Sequence, residues 1–309
     1  MKKTDLLSRY FSEAKRGRCL PAVSIFGRRM HARWLWAIPL ALLFILSPDR
    51  ALCEEKPLWE IGAGLAVLQM PDYRGSDKYR GYLLPYPYLV YRGDILRVER
   101  ERISGRLFET DRLLLDISLN GSVPVDSSDN EDRRGMPDLD PTFEIGPSLD
   151  ITLMENPRNR WKLKLALPVR AVFSTDFSSV RREGWVFHPR LNFETIDIIP
   201  GTGLNAGLSV GPMFADRGYH DYYYTIDPAF ETPTRPPYAA GGGYSGSTAT
   251  VGLSKTLNPF ILSGFVSLDY LKGAVFEESP LVKTEYSWMC GFTVSWIFLK
   301  SSEQVRTKD

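Results

Sequence analysis

Past residue 53 the chain keeps two histidines, His188 and His220, the side chains best suited to moving protons near neutral pH. His188 lies close in sequence to Arg190 and Glu194, and His220 lies between Asp216 and Asp221. A histidine beside a carboxylate is an acid–base pair or an ordinary salt bridge, and sequence spacing alone permits both. The surrounding chemistry is thin. There is no G-x-S-x-G elbow, no H-E-x-x-H helix and no Cys-x-x-Cys pair. Cys290 is the last of three cysteines and the only one after Cys53, so a Cys-based zinc site or an intramolecular disulfide in that region is excluded. No catalytic, cofactor-binding or metal-binding residues are assigned, and the expected protein is not an enzyme.

A denser pattern of special residues lies earlier. Pro71-Asp72-Tyr73-Arg74-Gly75-Ser76-Asp77-Lys78-Tyr79 is followed by Leu84-Pro85-Tyr86-Pro87-Tyr88-Leu89-Val90-Tyr91-Arg92. Gly75 suits a tight turn that a Cβ would resist. Asp72, Ser76 and Asp77 can hydrogen-bond nearby backbone, while Pro85 and Pro87 stiffen an extended strand. Tyr73, Gly75, Ser76, Asp77, Pro85, Pro87, Tyr91 and Arg92 therefore form a motif with a structural role first and a contact role second.

These residues must be positioned by strands. Trp161, Leu163, Leu165, Leu167, Val169, Ala171 and Phe173 alternate with Lys162, Lys164, Ala166, Pro168 and Arg170. Alternation places one set on each face of a strand. Similar segments run over 58–69, 81–91, 95–103, 105–109, 112–123, 141–153, 161–173, 184–197, 203–214, 247–257, 260–271 and 286–298. Each is close to the roughly 9–11 residues a tilted strand needs to cross a bilayer, apart from the short fourth. A membrane tolerates no lipid-exposed sheet edge, so the pattern implies a closed barrel. The expected fold is all-β, a transmembrane antiparallel up-and-down barrel of about twelve strands, with ten as the alternative.

The connections sort by length. Long ones are expected at 70–80, 124–140, 174–183, 215–246 and 272–285, and short ones at Arg92-Gly93-Asp94, Thr110-Asp111, 154–160, 198–202 and Asn258-Pro259. Outer-membrane barrels have short periplasmic turns and long external loops. Only the connection near Ser104 breaks that rhythm, and the rhythm puts both termini in the periplasm. Polar-face positions such as Gly203, Asn205, Gly207, Ser209 and Gly211 are small, leaving room for water or an inserted loop. Aromatics near strand ends, including Trp59, Tyr91, Trp185, Trp296 and Phe298, suit interfacial girdles.

Residues 1–53 hold ten Lys/Arg and three Asp/Glu, leaving 28 and 34 for the remainder, about −6. Arg28, Arg29 and Arg33 precede the apolar run from Leu35 to Leu46, and Ala51-Leu52-Cys53 offers a cleavage site before Glu54. The expected organisation is a signal presequence at 1–53, with Met30 an alternative start, a barrel at 54–298 and a polar periplasmic tail at 299–309. An uncleaved inner-membrane anchor is the other reading of the apolar run. No basic–aromatic patch points to nucleic acid.

The first hairpin, with its P-x-Y-x-G-S-x-x-Y stretch and following P-x-P-x-x-x-Y-R, resembles that of the MipA/OmpV family of outer-membrane proteins. The resemblance continues in Tyr222-Tyr223-Tyr224, Asp227-Pro228-Ala229, Pro237 to Gly243 and Ser279-Pro280-Leu281-Val282. It implies a scaffold in the outer membrane of a Gram-negative bacterium, linking a lytic murein transglycosylase to a murein synthase during peptidoglycan remodelling. Outer-membrane lipid and lipopolysaccharide would surround it. Two alternatives stand beside the scaffold: a channel or porin for small solutes, and a rim-located lipid-modifying enzyme using His188 or His220.

Overall fold

The computed structural model describes residues 56–92, 96–99, 102–105 and 108–305. The presequence expected at 1–53, with Met30 as its alternative start, lies outside the described residues, as do residues 306–309 of the tail expected at 299–309. The strands are β1 (Lys56–Pro57), β2 (Trp59–Pro71), β3 (Tyr79–Arg92), β4 (Leu96–Glu99), β5 (Arg102–Gly105), β6 (Phe108–Glu109), β7 (Leu113–Ser122), β8 (Thr142–Asn156) and β9 (Trp161–Thr175). They continue as β10 (Val180–Phe187), β11 (Arg190–Thr195), β12 (Leu204–Ala215), β13 (Gly243–Leu257), β14 (Phe260–Tyr270), β15 (Tyr286–Lys300) and β16 (Gln304–Val305). One helix, α1, covers Arg217–Tyr224.

Sequence neighbours pair antiparallel along the sheet, and β15 returns to pair with β2 through Cys290↔Gln69 to Lys300↔Glu60. That return turns a meander into a barrel wall. β10 and β11 are two halves of one bent strand, broken at His188-Pro189, since both pair β12 on one side and β9 on the other. With β5 and β6 as parts of one strand, the wall has the expected twelve. The predicted alternation holds. Outward positions such as Leu65, Leu83, Val169, Leu208, Val251 and Trp296 are exposed large hydrophobics, while the intervening Ala66, Arg170 and Ser295 are buried. Cys290 lies on the outward apolar face with Trp288 and Phe292.

Two expectations need correction. Glu99 pairs with Arg102 and Ser104 lies inside β5, so the reversal is not near Ser104, and in place of the expected 95–103 and 105–109 strands stand β4 (Leu96–Glu99), β5 (Arg102–Gly105) and β6 (Phe108–Glu109). The charged Arg97-Val98-Glu99 stretch has too little apolar periodicity to mark the end of its strand. The long loop expected at 174–183 is a four-residue turn, 176–179, in which Asp176 accepts from Ser178 N at 2.9 Å and Ser179 N at 2.7 Å. Here the strands run on beyond the apolar band, so polarity misplaces the turn. Beside the small polar positions of the lumen, Tyr88, Val90, Ile261 and Ile297 form a buried cluster near the short-turn end.

Elsewhere the lumen is packed with paired charge. Arg170 donates to Glu144 at 2.7 Å and to Ser118 at 3.3 Å, all three buried. At the short-turn end Arg92 donates to the Pro57 carbonyl at 2.6 Å and bridges to Glu60 at 3.3 Å, while the Tyr88 hydroxyl donates to Glu60 at 3.0 Å. Two chain ends meet there: β1 pairs with β16 through Lys56↔Val305 and Pro57↔Gln304.

Candidate functional site

The long connections, 72–78, 123–141, 216–242 and 271–285, do not stand away from the barrel. They knit together over its mouth. The order begins with α1. Asp216 caps the helix by accepting from Tyr219 N at 3.1 Å, and the same oxygen accepts from Trp185 N at 3.0 Å, fixing the helix to β10. Gly184 permits this approach, since a Cβ there would lie 2.1 Å from the Asp216 carboxylate. The helix buries Tyr219, His220, Tyr223 and Tyr224, a face set by residues one and four apart.

The hairpin motif meets that face. Tyr73 donates to the Leu281 carbonyl at 2.9 Å, and Tyr224 donates to the Arg74 carbonyl at 2.9 Å. Gly75 takes a positive φ of 92° and its N–H donates to Ser287 Oγ at 2.7 Å, while its carbonyl accepts from Lys283 N at 2.7 Å. A Cβ at Gly75 would press on Leu271 and Val282 at 3.1 and 3.2 Å. Ser76 is fully buried, its Oγ accepting from Lys78 N at 3.1 Å. Asp72 bonds side chains instead of backbone: Arg80 Nε at 2.6 Å and Asn130 Nδ2 at 2.7 Å. Asp77 remains at the surface, 3.5 Å from Lys78. Pro85, Pro87 and Tyr91 belong to β3 in the barrel wall and Arg92 to the opposite mouth, so the motif divides between two ends of the molecule.

Beneath the loops Arg74 reaches into the lumen. It bridges to Asp269 on β14 at 3.1 Å and donates to Ser245 Oγ at 3.3 Å. Burial alone would weaken its hold on the proton, but the Asp269 carboxylate more than offsets this, and the net shift is upward. His220 Nε2 lies 3.0 Å from the same Ser245 Oγ, and Nδ1 lies 2.6 Å from the Gly241 carbonyl. A carbonyl can only accept, so Nδ1 carries the proton and Nε2 accepts from Ser245. Burial lowers the His220 pKa, the Gly241 carbonyl works against this, and the Arg74 charge lowers it further.

A serine–histidine contact held by a carbonyl has the outline of a nucleophile–base pair. Both residues are fully buried, however, under Phe276 and Tyr224. Neither expected carboxylate touches the His220 ring: Asp216 caps the helix, and Asp221 accepts from Thr225 Oγ1 at 2.6 Å. His188 sits at the β10–β11 break, and Glu194 pairs with Lys164 at 2.8 Å rather than with His188. The groups that sequence reading misses are Asn130, Arg133 and Phe276. Arg133 donates to the Tyr223 carbonyl at 3.1 Å and lies over the Tyr73 ring. Nothing in local spacing marks them, because each acts across 50 residues or more.

Solved structures similar to this chain include an active-site mutant of outer membrane phospholipase A from Escherichia coli, at 13% identity and TM-score 0.33, covering 82% of this chain and 95% of that one. An outer membrane channel from Pseudomonas putida matches at 11% identity and TM-score 0.40, over 82% of this chain and 100% of that one. The NanC porin matches at 9% identity and TM-score 0.37, over 75% and 98%. No curated protein matches the chain. The family model described as MltA-interacting protein MipA matches residues 63–298, the barrel from β2 to β15. The chain belongs to the MltA-interacting protein MipA family.

Proposed function

We propose that this outer-membrane barrel is a non-catalytic scaffold that holds periplasmic murein enzymes, a lytic transglycosylase and a synthase, beside the membrane. The observation that carries the reading is the packed mouth: Ser76, Asn130, His220, Ser245, Leu271, Phe276 and Leu281 are each fully buried where a solute channel would need a wet path. The family's description supplies the class of partner. Residues 1–53 act in this reading as a cleaved export signal, leaving a mature chain surrounded by lipid and lipopolysaccharide.

The surface open to a periplasmic enzyme is then the short-turn end. It comprises the β1–β16 ribbon, the 157–160 turn and the 196–203 turn, in which Asp197 accepts from Gly201, Thr202 and Gly203 N–H groups at 2.8–3.0 Å. The motif around Tyr73–Asp77 serves the opposite mouth, so its role in partner binding is indirect. The Ser245–His220 contact supports the non-catalytic reading because a nucleophile must touch its substrate, and both groups are sealed.

Pull-down of murein enzymes from solubilised outer membranes tests the scaffold, using the intact chain, a chain ending at Leu299 and a chain with the 157–160 turn replaced. Capture by the intact chain and loss with either change is expected. Equal capture by all three removes the scaffold's physical basis. Stepwise conductance of the purified barrel in planar bilayers would favour the channel instead.

A further inference from the structure

The short turns of a barrel meet water, and three of them have the polar tips this favours: Thr110-Asp111, Arg158-Asn159-Arg160 and Asn258-Pro259. The 196–203 turn differs. Ile196, Ile198 and Ile199 are exposed by 41%, 50% and 44%, and Pro200 beside them is exposed as well. These isoleucines lie beyond the lipid-facing wall. Trp161 and Phe193, with ring centroids 5.9 Å apart, mark the end of the apolar band on β9 and β11. Thr195, the last residue of β11, pairs with Trp161, and the isoleucines follow it away from the membrane.

The turn that carries them is stiff. Asp197 stands in the left-handed region at a φ of 57°, and its carboxylate holds the Gly201, Thr202 and Gly203 N–H groups. Its own N–H donates to Asn205 Oδ1 at 3.1 Å, and Thr202 Oγ1 donates to the Ile199 carbonyl at 2.7 Å. A left-handed residue other than glycine is strained, so the clamp holds a costly shape in order to keep apolar side chains in water. Neither term helps the fold. A fixed apolar patch of this kind marks a contact surface.

The neighbouring turn supplies charge. Ile196 N donates to the Arg160 carbonyl at 3.0 Å, which joins the 157–160 and 196–203 turns into one platform. Lys164 is paired with Glu194 at 2.8 Å, Lys162 stands opposite Glu155 in the β8–β9 register, and the Asp197 carboxylate is engaged by the backbone. Arg158 and Arg160 are exposed and form no salt bridge among the described residues. The platform therefore has an apolar centre and a cationic rim.

We propose that this platform is where the periplasmic murein enzyme docks, and that the enzyme meets it with an apolar hollow edged by carboxylates. The inference rests on the scaffold reading and narrows it to one part of the short-turn end. An anchor already held in shape loses little freedom on binding. The isoleucines supply the hold, while the two guanidinium groups steer and orient the approach of an acidic surface. The place of the isoleucines beyond the Trp161–Phe193 pair favours a protein over inner-leaflet lipid as the occupant.

The test uses the full mature chain in phospholipid nanodiscs, with isoleucine δ1 methyl groups labelled for nuclear magnetic resonance. A purified lytic murein transglycosylase and a purified murein synthase are added in turn. One of them should shift or broaden Ile198 and Ile199 and leave Ile145, on the outer wall, unmoved. Ile198→Ser with Ile199→Ser should weaken that binding about tenfold, with unchanged Gly201, Thr202 and Gly203 amide signals as the mark of an intact clamp. Equal binding by the native chain and this variant overturns the platform and leaves the scaffold standing. No binding of either enzyme to the native chain defeats the scaffold itself, and the platform with it. Arg158→Glu with Arg160→Asn, chosen because asparagine tolerates the left-handed backbone at 160, should weaken binding and flatten its salt dependence. Unchanged binding there overturns the acidic partner surface. A phospholipid spin-labelled on its acyl chain should broaden Ile145 and spare Ile198 and Ile199; equal broadening makes the bilayer the occupant and overturns the platform.

Discussion

Tyr224 lies flat on Phe276, with ring centroids 3.7 Å apart and planes 5° from parallel. The pair joins the α1 loop to the last long loop, and the Tyr224 hydroxyl ties both to Arg74 in the first. Burial raises the Tyr224 pKa well above that of a free phenol, so the hydroxyl stays a donor at every ordinary pH. Tyr224→Phe keeps the stack and takes the donor from the part-buried Arg74 carbonyl, which should weaken the packing of these loops by about 1 kcal/mol. Phe276→Ala removes a fully buried ring and should cost about 3–5 kcal/mol. Protease cleavage rates within 216–242 measure both, and the alanine variant should be cut faster.

Acid should loosen the same plug. The His220 pKa in the folded chain is lowered by burial, whereas the unfolded segment titrates near about 6.5. Above that pH the ring is neutral in both states. Below it the unfolded segment binds a proton that the plug excludes, so stability falls as pH drops from about 6.5 until the folded ring also titrates. Cleavage of 216–242 should accelerate between neutral pH and pH 5 in the native chain. His220→Gln should flatten the dependence.

Removing one half of the lumen pair should be severe. Glu144→Ala leaves the buried Arg170 guanidinium without its carboxylate and should cost about 3–5 kcal/mol. Pairing it with Arg170→Met removes both charges and should recover most of the loss. Thermal unfolding, followed by the shift in gel mobility on heating, reads both variants.

Gly75→Ala tests a backbone position. Its φ of 92° strains any residue with a Cβ, and two side chains crowd that atom. A loss of about 1–2 kcal/mol in plug stability is expected, with the barrel intact by circular dichroism. Equal protease resistance in the two chains would contradict it.

Much of this architecture is legible in alternation alone. The faces of β9 fall where the spacing from Trp161 to Phe173 puts them, because the pleat has a period of two and the lipid side tolerates only apolar groups. Turns are less legible: Asp176–Ser179 hides inside polar residues that extend the strands above the membrane. The plug is the least legible, because Tyr73 finds Leu281 and Arg74 finds Asp269 across some 200 residues, and no local signal encodes such partners.

The β1–β16 ribbon brings Lys56 opposite Val305, so the two ends of the barrel chain run side by side. Order in the gene and order around the wall are therefore separable. A circular permutant with these ends joined by a short linker, and newly opened within 176–179, would keep every strand pairing of the native wall. Its first strand would be β10 and its last β9, which makes the direction of assembly around the barrel an experimental variable.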